Sequence, residues 1–320
     1  MRYLFFVIAF AVMQIATKAA TPIVTLSNDN IEVGIAPELG GRVVFLRKPG
    51  TEGILLSDKK IWEDPSFVAP EITETPVFYP FNGIILWVGP QSGFWKNQTY
   101  NLQLQERSAS WPPDPFGEYG RFEVVKQEKD YVELLGPESP VTGLQLRKTV
   151  QITSDGKVEL GFTATNHRST PVECDLWVNV RGNCHAKASV KVKSMEDVRI
   201  ESTSVRTREA LATSYENGIF SVLPEMPPQD KRTRTGKVFI YPETPEIVAT
   251  YKGETMTIRF DQVPKEQIHP AQGAIELYSN IADTPDPATE LLEMEFHGPF
   301  GTLLPGEKRS IRCSIELGSI

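Results

Sequence analysis

Two carboxylates and an imidazole alternate with apolar side chains in residues 292–297, near the end of the chain. A period of two is typical of a half-buried β-strand, so the apolar residues face a core and Glu293, Glu295 and His297 share the opposite face. At roughly 3.3 Å of rise per residue, neighbouring groups in this row lie about 7 Å apart. Such a row can bind a polar ligand or transfer protons, but the solvated face of an ordinary antiparallel sheet has the same pattern.

Other predicted strands also carry polar and aromatic residues on one face. Trp177 and Asn179 lie opposite the apolar residues of 172–181, and Glu276 and Arg147 do so in two further segments. If these strands are neighbours in one sheet, that face presents carboxylates, guanidinium groups, an amide and an indole together. A pyranose offers hydroxyls that planar polar groups can meet in pairs, and an apolar C–H face that stacks on an aromatic ring. The combination therefore indicates a saccharide ligand.

Trp177 is the most informative single residue of this face. An indole that faces solvent without a ligand exposes a large apolar area, which a sugar ring would cover. The alternative is that a loop covers the indole instead.

The first twenty residues are predicted to be a signal peptide. Arg2 forms a positive start, residues 3–16 are mostly apolar, and 17–20 are a plausible cleavage zone. The apolar stretch is shorter than the about 20 residues that span a bilayer, and no later stretch is long enough, so we expect no stable membrane anchor. The sequence thus predicts a secreted or periplasmic protein.

The chain is acidic. Its formal charge of −8, which becomes −10 without Arg2 and Lys18, makes nucleic acid an unsuitable partner because phosphate binding needs clustered Lys and Arg.

Nearly every periodic segment alternates with period two, which predicts an all-β fold. Residues 21–320 are expected to form a single β-sandwich domain, with Asp155-Gly156 as a hairpin turn and Lys252-Gly253-Glu254 as a weaker one. Residues 62–119 and 223–236, rich in Pro, Gly and aromatics, are predicted long loops. Strands are predicted at 31–35, 42–47, 131–135, 143–152, 157–165, 172–180, 188–192, 198–202, 237–241, 247–251, 255–260, 274–278, 291–297 and 309–317.

Motifs for metal or cofactor binding are missing from the sequence. It contains no HExxH, no paired CxxC, no phosphate-binding Gly-Lys-Ser/Thr loop and no Rossmann glycine pattern after a strand. We therefore predict neither a metal nor a cofactor. Of the three cysteines, Cys174 and Cys184 are either bridged across neighbouring strands or buried as free thiols.

Three blocks of the chain resemble the galactose mutarotase-like (aldose 1-epimerase-like) superfamily. The blocks are Pro37-Glu38-Leu39-Gly40-Gly41-Arg42 with the strand that follows, Ala164 to Val172, and Ile275 to Asn280 with Leu292-Glu293 and Leu304-Pro305-Gly306-Glu307. The resemblance covers most of residues 21–320. It implies a large antiparallel β-supersandwich that binds carbohydrate on a concave sheet, with Arg42 in the substrate-binding set.

In the enzymes of that superfamily a glutamate removes the proton of the anomeric hydroxyl while a histidine protonates the ring oxygen. Glu293 matches the glutamate, but Trp177 stands at the histidine position, and an indole cannot transfer that proton at neutral pH. Three alternatives follow. His297 or His185 replaces the acid, with His297 the better candidate; Glu293 and Glu295 run a different chemistry; or the protein binds sugar without converting it.

The segment 83–91 with Trp95 resembles a loop that lines the pocket in secreted proteins of this superfamily. Trp87, Gln91 and Trp95 would then form an aromatic wall, and the alternative is a small hydrophobic cluster beneath a long loop. The leading functional prediction is an exported carbohydrate-binding protein. A sugar epimerase that uses Glu293 as base is the second, and an envelope interaction protein with a degenerate pocket is the third.

Overall fold

The computed structural model describes residues 21–201, 211–224, 234–281 and 290–320. The predicted signal peptide and most of the predicted 223–236 loop lie outside these ranges. In chain order the strands are β1 Val24–Ser27, β2 Glu32–Ala36, β3 Arg42–Arg47, β4 Ile84–Gly89, β5 Glu123–Gln127, β6 Tyr131–Glu138, β7 Leu144–Ile152, β8 Val158–Asn166, β9 Val172–Gly182, β10 Lys187–Lys191, β11 Val198–Glu201, β12 Thr213–Glu216, β13 Ile219–Val222, β14 Arg234–Ile240, β15 Glu246–Tyr251, β16 Glu254–Phe260, β17 Ile275–Ile281, β18 Leu291–His297, β19 Gly301–Leu303 and β20 Lys308–Ser319. Three short helices are α1 Lys60–Glu63, α2 Leu102–Glu106 and α3 Pro115–Glu118.

The strands form two antiparallel sheets. The first has the order β1-β2-β3-β4-β9-β18-β17-β14-β11, with β19 paired to β9, and the second has the order β12-β13-β10-β15-β16-β20-β8-β7-β6-β5. The all-β supersandwich predicted from the alternating pattern and the resemblance is confirmed.

The main core lies between the two sheets. On β9, the alternate residues Leu176, Val178 and Val180 belong to this core together with apolar residues of both sheets. Burying each such side chain contributes about 1.5–3 kcal/mol, so the alternation fixes which face of β9 turns inward. The other face of the first sheet, called the outer face here, is covered in part by residues 48–122, which carry two smaller apolar clusters.

Tight turns hold the hairpins in register. Lys252 and Gly253 have φ values of +48° and +81°, the left-handed conformation that two-residue type I′ hairpins require. Gly156, with a φ of +79°, is the left-handed residue of the longer turn between Ile152 and Val158. Both predicted hairpins are present, between β7 and β8 and between β15 and β16.

One strand lies in a segment predicted as a loop. Residues 84–89 form β4, which pairs with β9 along its whole length. Nearly all of β4 is buried, so its sequence is a continuous apolar run without the alternation that marks a strand with one wet face.

Cys174, Cys184 and Cys313 are all free and buried, so Cys174 and Cys184 are not bridged. Among the described residues, no helix is long and apolar enough to cross a membrane.

Candidate functional site

The central strand β9 turns its polar side chains to the outer face, and the strand registers align them with those of its neighbours. Trp177 lies opposite His297, Asn179 opposite Glu295, and Arg181 opposite Glu293. The next strand, β17, brings Glu276 opposite Glu295. Because facing residues on adjacent strands point to the same side, the groups that the sequence placed on polar faces of β9, β17 and β18 share one surface.

Lys237 on β14 binds two buried carboxylates of this surface. Its Nζ lies 2.5 Å from Oε2 of Glu276 and 2.7 Å from Oε2 of Glu295. The amide of Asn179 donates to Oε1 of Glu295 at 2.9 Å. Burial raises the pKa of Glu295, against the effect of Lys237, while Glu293 and Glu276 raise it further. A buried charge needs a partner of this kind to be tolerated.

His297 is fully buried between Glu276 and a third carboxylate, Asp175. Its Nδ1 lies 2.9 Å from Oδ2 of Asp175, and its Nε2 lies 3.4 Å from Oε1 of Glu276. Burial lowers the pKa of the imidazole, but Glu276 and Asp175 outweigh it and raise the pKa to about 9. Burial likewise opposes ionisation of Glu276, yet His297 and Lys237 lower its pKa to about 2. His297 is therefore a cation at neutral pH, with each ring nitrogen beside a carboxylate.

Two buried arginines anchor the loops above the sheet. Arg42 pairs with Glu118 at 2.7 Å, and Arg181 pairs with Glu293 at 3.0 Å. Both guanidinium groups also donate to the carbonyl of Phe81, at 2.9 and 2.7 Å. Arg42 and Arg181 thus tie the segment between β3 and β4 to the sheet.

Trp177 lies beneath an aromatic cover and is 3% exposed, so the alternative that the chain itself covers this indole holds. Its ring contacts Trp87 edge-on at a centroid distance of 4.8 Å and His297 at 5.2 Å. The ammonium of Lys237 lies 4.9 Å from the centre of the Trp177 ring, a cation–π contact. The indole of Trp87 in turn donates to Glu118.

A cavity of about 350 Å³ opens beside Trp177 on the outer face. Its walls include Gln91, Trp177, Lys237, Phe239, Gln272 and Glu276, with Ser110 at one side. Trp177 Nε1 and Gln272 Oε1 have no hydrogen-bond partner within the described ranges, although both atoms are buried. Since buried polar atoms are nearly always satisfied, these two atoms of cavity-lining residues can bind a ligand that displaces the side chains covering them.

The structure brings most of the predicted site residues to this region, though not all into the cavity. Gln91, Trp177 and Glu276 line it. Asn179, Glu295 and His297 are fully buried and contact its charged wall. Arg42, Trp87 and Glu293 lie nearby but are engaged in the pairs described above.

Two predicted residues lie apart from the others. Trp95 is fully buried in a small cluster, where its Nε1 donates to the carbonyl of Pro112 at 2.6 Å, so the hydrophobic-cluster alternative holds for this residue. Arg147 lies on β7 in the second sheet and pairs with Glu133 in solvent. The polar face of β7 is thus the solvated side of the second sheet.

Lys237, Asp175, Gln272 and Glu118 were missed as site residues. In the sequence, Lys237 and Phe239 alternate with apolar residues, and this pattern indicates that both side chains lie on one face of β14. Glu118 lies on the single turn of α3, where no periodicity exists to indicate which way it faces. Across the described ranges, no three His, Cys, Asp or Glu side chains are arranged to hold a metal ion.

A family model described as a domain of unknown function, DUF4380, matches residues 22–315. No curated protein sequence matches the chain.

Solved structures share the fold. A GalM/aldose epimerase homologue from C. elegans has a TM-score of 0.58 at 13% identity, covering 94% of this chain and 100% of that one. A protein of Synechocystis sp. PCC 6803 has a TM-score of 0.57 at 12% identity, covering 99% and 100%. A structure named as a putative aldose 1-epimerase from Escherichia coli has a TM-score of 0.55 at 13% identity, covering 93% and 99%. At these identities the likeness shows a galactose mutarotase-like fold.

Proposed function

The chain belongs to the DUF4380 family and has a galactose mutarotase-like fold, and from this premise we propose that it is an exported protein that binds a saccharide in the cavity beside Trp177. The proposal concerns binding; conversion of the sugar is a separate candidate, treated below.

The observation that carries the proposal is the chemistry of the cavity wall. The half-buried Phe239 ring and the small accessible part of Trp177 provide apolar surface, and Lys237, Glu276 and Gln272 provide polar groups beside it. A sugar ring has both kinds of surface, a C–H face for the ring and hydroxyls for the polar groups. The unpartnered Trp177 Nε1 and Gln272 Oε1 would donate to and accept from such hydroxyls once a local side-chain movement uncovers these two buried atoms. A volume of about 350 Å³ is at the small end of ligand pockets, which suits one sugar ring.

The positions of the predicted catalytic residues favour binding over epimerisation. Neither Glu293 nor His297 is among the described residues that line the cavity. His297 has both nitrogens beside carboxylates, so a proton that leaves it would break a buried ion pair. Trp177 cannot substitute for it, because indole is only a hydrogen-bond donor.

Epimerisation remains the second candidate, because the names of the C. elegans and E. coli structures refer to aldose epimerases and Glu293 keeps a 12% exposed side chain. Polarimetry of glucose, galactose, mannose and xylose separates the two. We expect the wild-type protein to interconvert their anomers no faster than buffer. Acceleration that Glu293→Gln abolishes would establish the epimerase instead.

A glycan array followed by titration calorimetry tests the binding proposal. We expect wild-type protein to bind at least one class of saccharide, and Trp177→Ala to weaken that binding about tenfold or more, the equivalent of about 1.4 kcal/mol. Gln272→Met removes the unpartnered acceptor with little change of shape and should also weaken binding. Tyr215→Ala, at a 40% exposed aromatic residue of the second sheet, is the matched control and should bind as wild type does.

The absence of any bound saccharide on the array would contradict the proposal. So would full affinity in both Trp177→Ala and Gln272→Met when their circular dichroism matches wild type.

A further inference from the structure

Trp111 is the most exposed of the five tryptophans, with 41% of its surface accessible. Tryptophan is enriched at binding interfaces, because its side chain combines a large apolar ring with a hydrogen-bond donor. Trp111 lies within the long segment above the outer face of the first sheet, and the function proposed above does not use it.

The indole of Trp111 is held in place although it is exposed. Its ring packs on Phe78 at a centroid distance of 4.6 Å and meets the edge of Trp87 at 6.1 Å. The next residue, Pro112, accepts a hydrogen bond from the fully buried Trp95. A rigid aromatic side chain loses little conformational entropy when it binds, which makes it an efficient contact residue.

Trp111 also adjoins the cavity. Ser110, the residue before it, lines the cavity wall. Trp87, itself buried, contacts both Trp111 and Trp177, the latter at 4.8 Å, so the position of Trp111 is tied to that of the cavity wall. Gln91 and Ser92 add polar groups at the same side of the cavity.

We propose that Trp111 forms a second sugar subsite outside the cavity, so that the ligand is an oligosaccharide or a polysaccharide chain rather than a free monosaccharide. This inference rests on the proposed function. The cavity holds one ring, and the chain continues past Ser110 so that the C–H face of a following ring covers the exposed indole of Trp111. The occupant is a carbohydrate because the exposed ring continues a surface whose polar and aromatic groups already suit one.

Calorimetry with sugars of increasing length tests this inference. The probes are glucose, galactose, mannose and xylose, each compared with linear oligomers of two to four units of the same sugar. For the sugar that binds, we expect an oligomer to bind wild type about tenfold tighter than the monosaccharide. Trp111→Ala should remove this gain and leave monosaccharide affinity within twofold of wild type, and Trp111→Phe should retain part of the gain.

The control is Leu102→Ala, which truncates another exposed apolar side chain, 58% accessible, in the same segment; it should keep the full gain. Oligomers that bind no tighter than the monosaccharide, or a gain that survives Trp111→Ala, would overturn the second subsite while leaving the cavity proposal intact. Failure of every probe to bind would overturn both proposals.

Discussion

Arg42 and Glu118 form an ion pair in which each side chain is only 1% exposed. Burial lowers the pKa of Arg42, against the effect of Glu118, and the carboxylate is shared with the indole of Trp87. Removing one member of such a pair leaves an uncompensated buried charge. The main effect of the pair on stability is therefore that neither buried charge is left without a counter-charge.

Glu118→Gln should accordingly lower the free energy of unfolding by about 3–5 kcal/mol, since Arg42 stays buried without a counter-charge. Urea denaturation measures the loss. Glu128→Gln, in the exposed pair of Lys126 and Glu128, is the control and should change stability by no more than about 0.5 kcal/mol. Equal effects of the two substitutions would show that the Arg42 pair is not buried as described.

His297 should make stability depend on pH. Its pKa in the folded protein, about 9, exceeds the ordinary value of about 6.5, so its stabilising contribution is complete below pH 6.5 and is lost as pH rises through 9. The whole effect is about 3 kcal/mol. Lys148, whose pKa burial lowers to about 7, acts in the opposite direction above that pH.

The test is therefore a difference between variants. Thermal unfolding followed from pH 6 to pH 9 should show a steeper fall in melting temperature for wild type than for His297→Gln. His185→Gln, at a partly exposed histidine, should behave as wild type does. A His297→Gln profile parallel to that of wild type would mean that the imidazole does not gain a proton on folding.

Strands with one solvated face can be predicted from the sequence, and strands buried on both faces cannot. Segments with one wet face alternate, and for these the predicted strands agree with the structure within a few residues, as for β18 at residues 291–297. The sequence predicts a loop where β4 lies, because this strand is buried on both faces and lacks alternation. The alternation in the sequence shows which side chains of one strand share a face, but it does not show the order of the strands in a sheet. For this reason the sequence analysis groups Arg147 with residues of the other sheet.

The site was predictable to the same extent. Glu276, Trp177, Asn179 and Glu295 were found because each lies on a strand with clear alternation. Whether an indole such as Trp95 lines a pocket or fills a small core depends on how a long loop folds over the sheet, and no local periodicity encodes that. Residues that reach the site from loops, such as Gln272, were missed for the same reason.

Gly83 should be essential to the position of β4. Its φ is +110°, and a Cβ there would lie 2.1 Å from the carbonyl oxygen of Val43. Gly156 also has a positive φ, +79°, but a Cβ there would meet no atom within 4 Å. Gly156→Ala should therefore cost only backbone strain, about 1–2 kcal/mol. Gly83→Ala should cost about 1–3 kcal/mol more because of the clash.

Urea denaturation of the two glycine variants measures the difference. Gly83→Ala should also weaken saccharide binding, because β4 carries Trp87, which packs on Trp177. Equal stability of the two variants would contradict the close approach of β3 and β4.

At the scale of the whole molecule, the outer face of the first sheet is buried by its own loops, and the cavity beside Trp177 is what those loops leave open. Export is the setting in which we propose that this site acts. The protein collected from the periplasm or medium of an expressing cell should have a mass that corresponds to a chain starting near Thr21. A mass that includes residues 1–20 would contradict cleavage of the predicted signal peptide.

A crystal structure of the protein with the saccharide selected on the array would show where the sugar binds. We expect a sugar ring in the cavity, in contact with Trp177 and Phe239, with its hydroxyls within hydrogen-bond distance of Trp177 Nε1 and Gln272 Oε1. A saccharide bound elsewhere on the molecule, with the cavity beside Trp177 empty or filled by the protein's own side chains, would contradict it.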